Sequence, residues 1–125
     1  YLRRHLDRNP TVTMAVTGVD ITPATATVAP GQTQALNVQL QGTITGSPAL
    51  VDLTGLGVRP NAVTWDIAAD FDLNNRTWID NKNVLHLQKT GATKGGKLTL
   101  TGTASYINPS GDTQTYTDTV TITVG

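Results

Sequence analysis

Side chains capable of metal, phosphate or acid–base chemistry gather in only a few places along this chain. The densest is Asp66-Ile67-Ala68-Ala69-Asp70-Phe71-Asp72-Leu73-Asn74-Asn75. Asp70, Asp72 and Asn74 alternate as oxygen ligands do at the start of a calcium loop, where a hard cation needs several oxygens within reach. The pattern stops there. The sixth position is not Gly, and the chain has no Glu to act as a bidentate ligand. The run reads as a polar loop leaving a strand, and no metal site is expected. Gly91-Ala92-Thr93-Lys94-Gly95-Gly96-Lys97 has the glycines and lysines of a phosphate cradle. It lacks the spacing of that motif and has no following helix whose N-terminus would face an anion. It reads as a loop before a strand. The two histidines, His5 and His86, lie far apart in unlike contexts, which gives neither a zinc ligand pair nor a Ser-His-Asp triad. Nothing here supports catalysis, so a non-enzymatic chain without a cofactor is expected.

Aromatic side chains leave a binding chemistry open. Trp65 alternates with Val63 and Ile67 and belongs to a core face. Trp78 and Ile79 are adjacent and cannot both point inward. Trp78 is therefore either edge packing or, with Tyr106 or Tyr116, part of an exposed aromatic patch able to stack on a sugar.

The elements that would position these groups are strands. Threonine makes up roughly a fifth of the chain and every acidic residue is Asp, a composition that favours strands and turns over helices. Period-two alternation places strands at Met14–Thr22, broken by Pro23 and continuing over Ala24–Ala29, and at Gln34–Gly42 with Leu36, Val38 and Leu40 inward. Further strands are expected at Ala62–Ala68, Arg76–Ile79 and Val84–Lys89. Two more follow, Lys97–Ile107 and Gln114–Val124, joined by the turn Asn108-Pro109-Ser110-Gly111-Asp112. Pro23 cannot donate to a ladder, which suits an edge strand that changes sheets. Seven or eight short strands separated by turns predict an all-β, antiparallel sandwich over residues 14–125. With 125 residues and no Cys, the chain can bury a core without disulfides.

Residues 1–13 read as a separate basic arm or linker. Arg3, Arg4 and Arg8 face a single Asp7, and Leu2 and Leu6 are spaced as on one helical turn. So short a segment needs a partner surface to be ordered as a helix. Between strands, residues 43–60 form a long connection carrying Leu50, Val51, Leu53, Leu56 and Val58. A loop this apolar either folds onto its own sandwich or contacts another protein. A net charge of zero argues against a dedicated nucleic-acid binder, and no apolar run is long enough to span a bilayer as a helix.

Several segments in order carry a family resemblance. Gly18–Leu36 gives strand, Pro break, strand, Pro-Gly turn and strand. Ala62-Val63-Thr64-Trp65-Asp66-Ile67 gives a Trp-bearing strand, and Thr77–Leu87 a short strand, a polar turn and an apolar pair. Lys97–Tyr106 and Asp118–Val124 close the pattern. Together they resemble the bacterial immunoglobulin-like group 2 (BIG2) domain over about residues 16–124. Relatives often carry Gly before the apolar pair, where this chain has Asn83, a residue that tolerates the left-handed conformation.

The resemblance implies an immunoglobulin-like fold and one of two settings. One is a phage virion, as a capsid-decoration or tail accessory domain. The other is a bacterial surface, in intimin-like adhesins or carbohydrate-binding modules. The virion is the expected setting, because one domain is present rather than tandem copies and a cationic arm is available to dock on an acidic particle. The implied partners are capsid or tail proteins, with the chain repeated in the particle, and cell-surface glycans touched through Trp78.

Overall fold

A computed structural model describes residues 14–44, 47–54 and 57–125, with the backbone alone for residues 47–49. The arm residues Leu2, Arg3, Arg4, Leu6 and Arg8, and Leu56 of the long connection, lie outside the described residues.

Among the described residues ten strand segments follow one another: β1 Met14–Thr22, β2 Thr25–Val28, β3 Thr33–Ala35, β4 Asn37–Ile44, β5 Ser47–Asp52, β6 Ala62–Ala69, β7 Trp78–Ile79, β8 Val84–His86, β9 Lys97–Ile107 and β10 Thr113–Val124. One layer is a four-stranded sheet in the order β2-β10-β9-β6. The opposite layer is split into β1-β4-β5 and β3-β8-β7. These two pieces meet at Leu36, the single residue between β3 and β4, whose N–H donates to Asn83 O at 2.9 Å. The architecture is an immunoglobulin-like β-sandwich.

Its core is the alternation of the sequence made solid. Leu36, Val38 and Leu40 from one layer meet Leu98, Leu100, Val120, Ile122 and Val124 from the other, all buried. Each such side chain contributes about 1.5–3 kcal/mol by leaving water. The outward face of the four-stranded sheet pairs threonines across strands, Thr99 with Thr121, Thr101 with Thr119 and Thr103 with Thr117. Thr keeps strand propensity there while its hydroxyl meets solvent.

Pro23 does what its chemistry predicts. The chain leaves β1 through a cis Thr22-Pro23 bond and resumes as β2 in the other sheet. There β2 pairs parallel with β10, Thr121 opposite Thr25 and Ile122 opposite Ala26. The sandwich is therefore not antiparallel throughout.

The elements differ most from expectation in three places. The strand expected over Gln34–Gly42 is interrupted at Leu36 and continues to Ile44. Those expected at Arg76–Ile79 and Val84–Lys89 shorten to β7 and β8, since turn bonds claim the residues beside them. The third is the connection 43–60, which contains a strand rather than only a loop. β5 pairs with β4, Gly42 opposite Val51 and Gln41 opposite Asp52. Its apolar residues then divide. Leu53 is fully buried, Val58 packs against the core, Val51 is half-buried, and Leu50 stays 62% exposed. Leu53 and Val58 are spent inside this fold, and Leu50 is the most exposed of the described apolar residues of this segment.

Candidate functional site

Trp78, His86 and Thr33 stand in one row across β7, β8 and β3, because Trp78 and Thr33 both register with His86. In the next row Ile79, Leu85 and Gln34 are in register. Leu85 there is fully buried and Ile79 packs against the core. The strand period thus resolves the adjacent pair: Ile79 faces in, and Trp78 is left 49% exposed.

The indole is held rather than loose. It stacks on the His86 imidazole with ring centroids 4.4 Å apart and planes 8° from parallel. His86 Nε2 in turn lies 2.9 Å from Asp80 Oδ2. Asp80 is fixed by its turn. Its other carboxylate oxygen accepts from Lys82 N at 2.8 Å and from Val84 N at 3.1 Å. The hydrogen bond to His86 lowers the Asp80 pKa below its ordinary value of 3.8 and outweighs the opposing effect of burial, while the two backbone donors and the His86 charge add smaller effects in the lowering direction. The turn closes on Asn83, the one described non-glycine residue with a left-handed backbone, at φ 61°. Asn83 Oδ1 also accepts from Trp65 Nε1 at 3.0 Å, which ties the turn to the opposite layer.

Below Trp78 the loop is organised by Gln88, 1% exposed. Its Oε1 accepts from Asn74 N at 3.0 Å and from the Thr77 hydroxyl at 2.8 Å. Its Nε2 donates to Asp72 O at 2.9 Å and to Thr90 O at 3.1 Å. All four bonding positions of the amide are used. This network shapes the Asp70–Asn74 run. Asp72 presents its carbonyl to Gln88, Asn74 Oδ1 accepts from Arg76 N at 2.8 Å, and Asp70 Oδ1 accepts from Lys97 N at 2.9 Å. Of the three residues with calcium-like spacing, only Asn74 makes a local turn bond, and no group of three His, Cys, Asp or Glu side chains placed to hold a metal ion occurs among the described residues.

Beside Trp78 lies an open groove of about 510 Å³. Gly31, Gln32 and Thr33 form one bank, held by Gly31 N to Leu87 O and Leu87 N to Gln32 O, both at 3.1 Å. Trp78, His86, Leu87, Gln88, Thr90 and the two cations Arg76 and Lys89 complete the lining. Gly31 has φ +79°, and the Lys89 stem passes close to where a side chain on it would begin.

Sequence reasoning found Trp78 but not its partner. Tyr106 and Tyr116 pack against the core, so the aromatic neighbour is His86 instead. The signal was present in His86, which alternates with Leu85 and Leu87 and had to face away from the core, on the same side as Trp78. Asp80, Arg76 and Lys89 carried no distinguishing spacing. The glycine-rich Gly91–Lys97 segment is tied to the last strand by Gly95 N to Val124 O and Val124 N to Gly96 O, both 2.8 Å, and Gly96 N donates to Thr93 O, so these amides are engaged within the fold. No family model and no curated protein matches this chain.

Proposed function

We propose that this chain is a non-enzymatic structural module of a phage virion, an immunoglobulin-like decoration or accessory domain on the capsid or tail that makes weak contacts with glycans of the host surface. The observation that carries the attachment role is Trp78, half-exposed, braced by His86 and bordering an open groove. A fixed indole offers a flat apolar face to the C–H face of a pyranose at little entropic cost, since its orientation is already set. The virion setting is supported by the resemblance to the group 2 domains and by the basic arm with Arg3, Arg4 and Arg8.

Gold-labelled antibody imaging of particles and cells from the source culture tests the setting. Label on heads or tails is expected. Label on the cell envelope with bare particles would replace the virion by an adhesin module. Glycan-array binding tests the attachment role, with signal expected for the intact chain and lost in Trp78→Ala.

A further inference from the structure

The groove beside Trp78 has a charge pattern that the attachment role alone does not require. Its lining holds two cations, Arg76 and Lys89, and no carboxylate. Among the described residues neither cation is paired with an acidic side chain; the one ion pair there is His86–Asp80. Both are exposed. The surrounding protein is of the opposite sign. Residues 14–125 hold six Lys and Arg against eight Asp, so the local positive patch stands on a net-negative body.

An exposed indole and two unpaired cations on one groove match one ligand chemistry. The ring takes the apolar face of a sugar, and the cations take an anionic substituent on it. A guanidinium presents two parallel N–H donors to a carboxylate, and an ammonium adds a mobile point charge. Gln32 and Thr33, both exposed on the same groove, supply polar groups for hydroxyls. Such a site is small, open and water-washed, which fits weak, repeated contacts rather than a tight pocket.

We propose that this groove is a binding site for acidic glycans, reading a carboxylated pyranose through Trp78 for the ring and Arg76 and Lys89 for the charge. The inference rests on the glycan-contact reading above and narrows it to one sugar class. A local positive site on a negative body selects at short range, within roughly a Debye length of 10 Å at moderate salt. Its affinity is therefore expected to fall with added salt, whereas stacking alone is far less sensitive.

The test is titration calorimetry of the full chain with a short oligogalacturonate, with the same oligomer as its methyl ester, and with polyglutamate. The acid is expected to bind at least about tenfold tighter than the ester, the scale of one charge-assisted hydrogen bond. Polyglutamate, which has charge but no ring, is expected not to bind. Arg76→Gln and Lys89→Gln are each expected to shrink the difference between acid and ester, and Trp78→Ala to abolish binding of the acid. Circular dichroism melts check that each variant is folded. Equal binding of acid and ester overturns the acidic-glycan site and leaves glycan attachment standing. Binding of polyglutamate as tight as the acid shows charge attraction without sugar recognition and also overturns it. No binding to either sugar, nor to any neutral glycan on an array, overturns both readings.

Discussion

Asp80 shows how much a single side chain can organise. Its carboxylate receives two backbone donors of the turn and fixes His86, and His86 fixes Trp78. Its pKa is held below the ordinary 3.8 by those partners, with the His86 hydrogen bond leading. The sign of the consequence follows. A carboxylate with a depressed folded-state pKa contributes stability that is fully present above its unfolded value and is lost as pH falls through the folded value. Asp80→Asn is therefore expected to melt below the unmodified chain at neutral pH, with the gap closing on acidification below about pH 4. Thermal melts followed by circular dichroism across that range check it; a gap independent of pH would refute the assignment. Asn83 is singled out by the resemblance, whose members often carry Gly at that place, and its left-handed backbone is one that Asn tolerates. Gln88 is the feature least legible. A buried amide is recognisable only once Asp72, Asn74, Thr77 and Thr90 surround it, and nothing in Leu87-Gln88-Lys89 announces that.

At the scale of elements, alternation was reliable where strands are long and one-sided. β9 runs over Lys97–Ile107 as the pattern predicts, and the Pro23 break divides β1 from β2. It failed where pairing, not periodicity, defines the element. Residues 47–52 lack clean alternation and become β5 because β4 offers them a free edge. Close approach is another property that periodicity does not reveal. Gly102 sits in the middle of β9, opposite Trp65 of β6 and under Ile21 from the other layer. A Cβ there would lie 2.5 Å from Ile21 Cδ1 and 2.8 Å from Trp65 Cζ3. The indole ring and an isoleucine buried in the core leave little room to yield, so Gly102→Ala is expected to destabilise by about 1–3 kcal/mol in a urea titration, despite adding strand propensity. A neutral or stabilising result would mean that the layers separate more easily than this packing implies.

For the whole molecule, the decisive contacts join the first described strand to the last. β1 has β4 on one side, and its other side runs along β10. Two polar side chains on the inward face of β10 close that seam. Asp118 Oδ2 accepts from Ile21 N at 2.8 Å, and the Tyr116 hydroxyl donates to Val16 O at 3.0 Å. They satisfy backbone groups of an edge strand that would otherwise invite another chain, the role an inward-pointing charge commonly serves at sheet edges. Because these bonds connect residues about a hundred positions apart, they form only when both layers are assembled, so their loss should weaken the seam before the core. Asp118→Ala is expected to lower stability by about 1–3 kcal/mol, since it strands the Ile21 amide, while Tyr116→Phe costs about 0.5–1.5 kcal/mol. Hydrogen exchange separates this from general destabilisation. In Asp118→Ala the Ile21 amide should exchange faster by more than the drop in global stability allows, while amides at Leu98–Leu100 in β9 slow or quicken only with the global value. Uniform acceleration at both places would mean that the seam opens only with the whole sandwich and is not a separable edge.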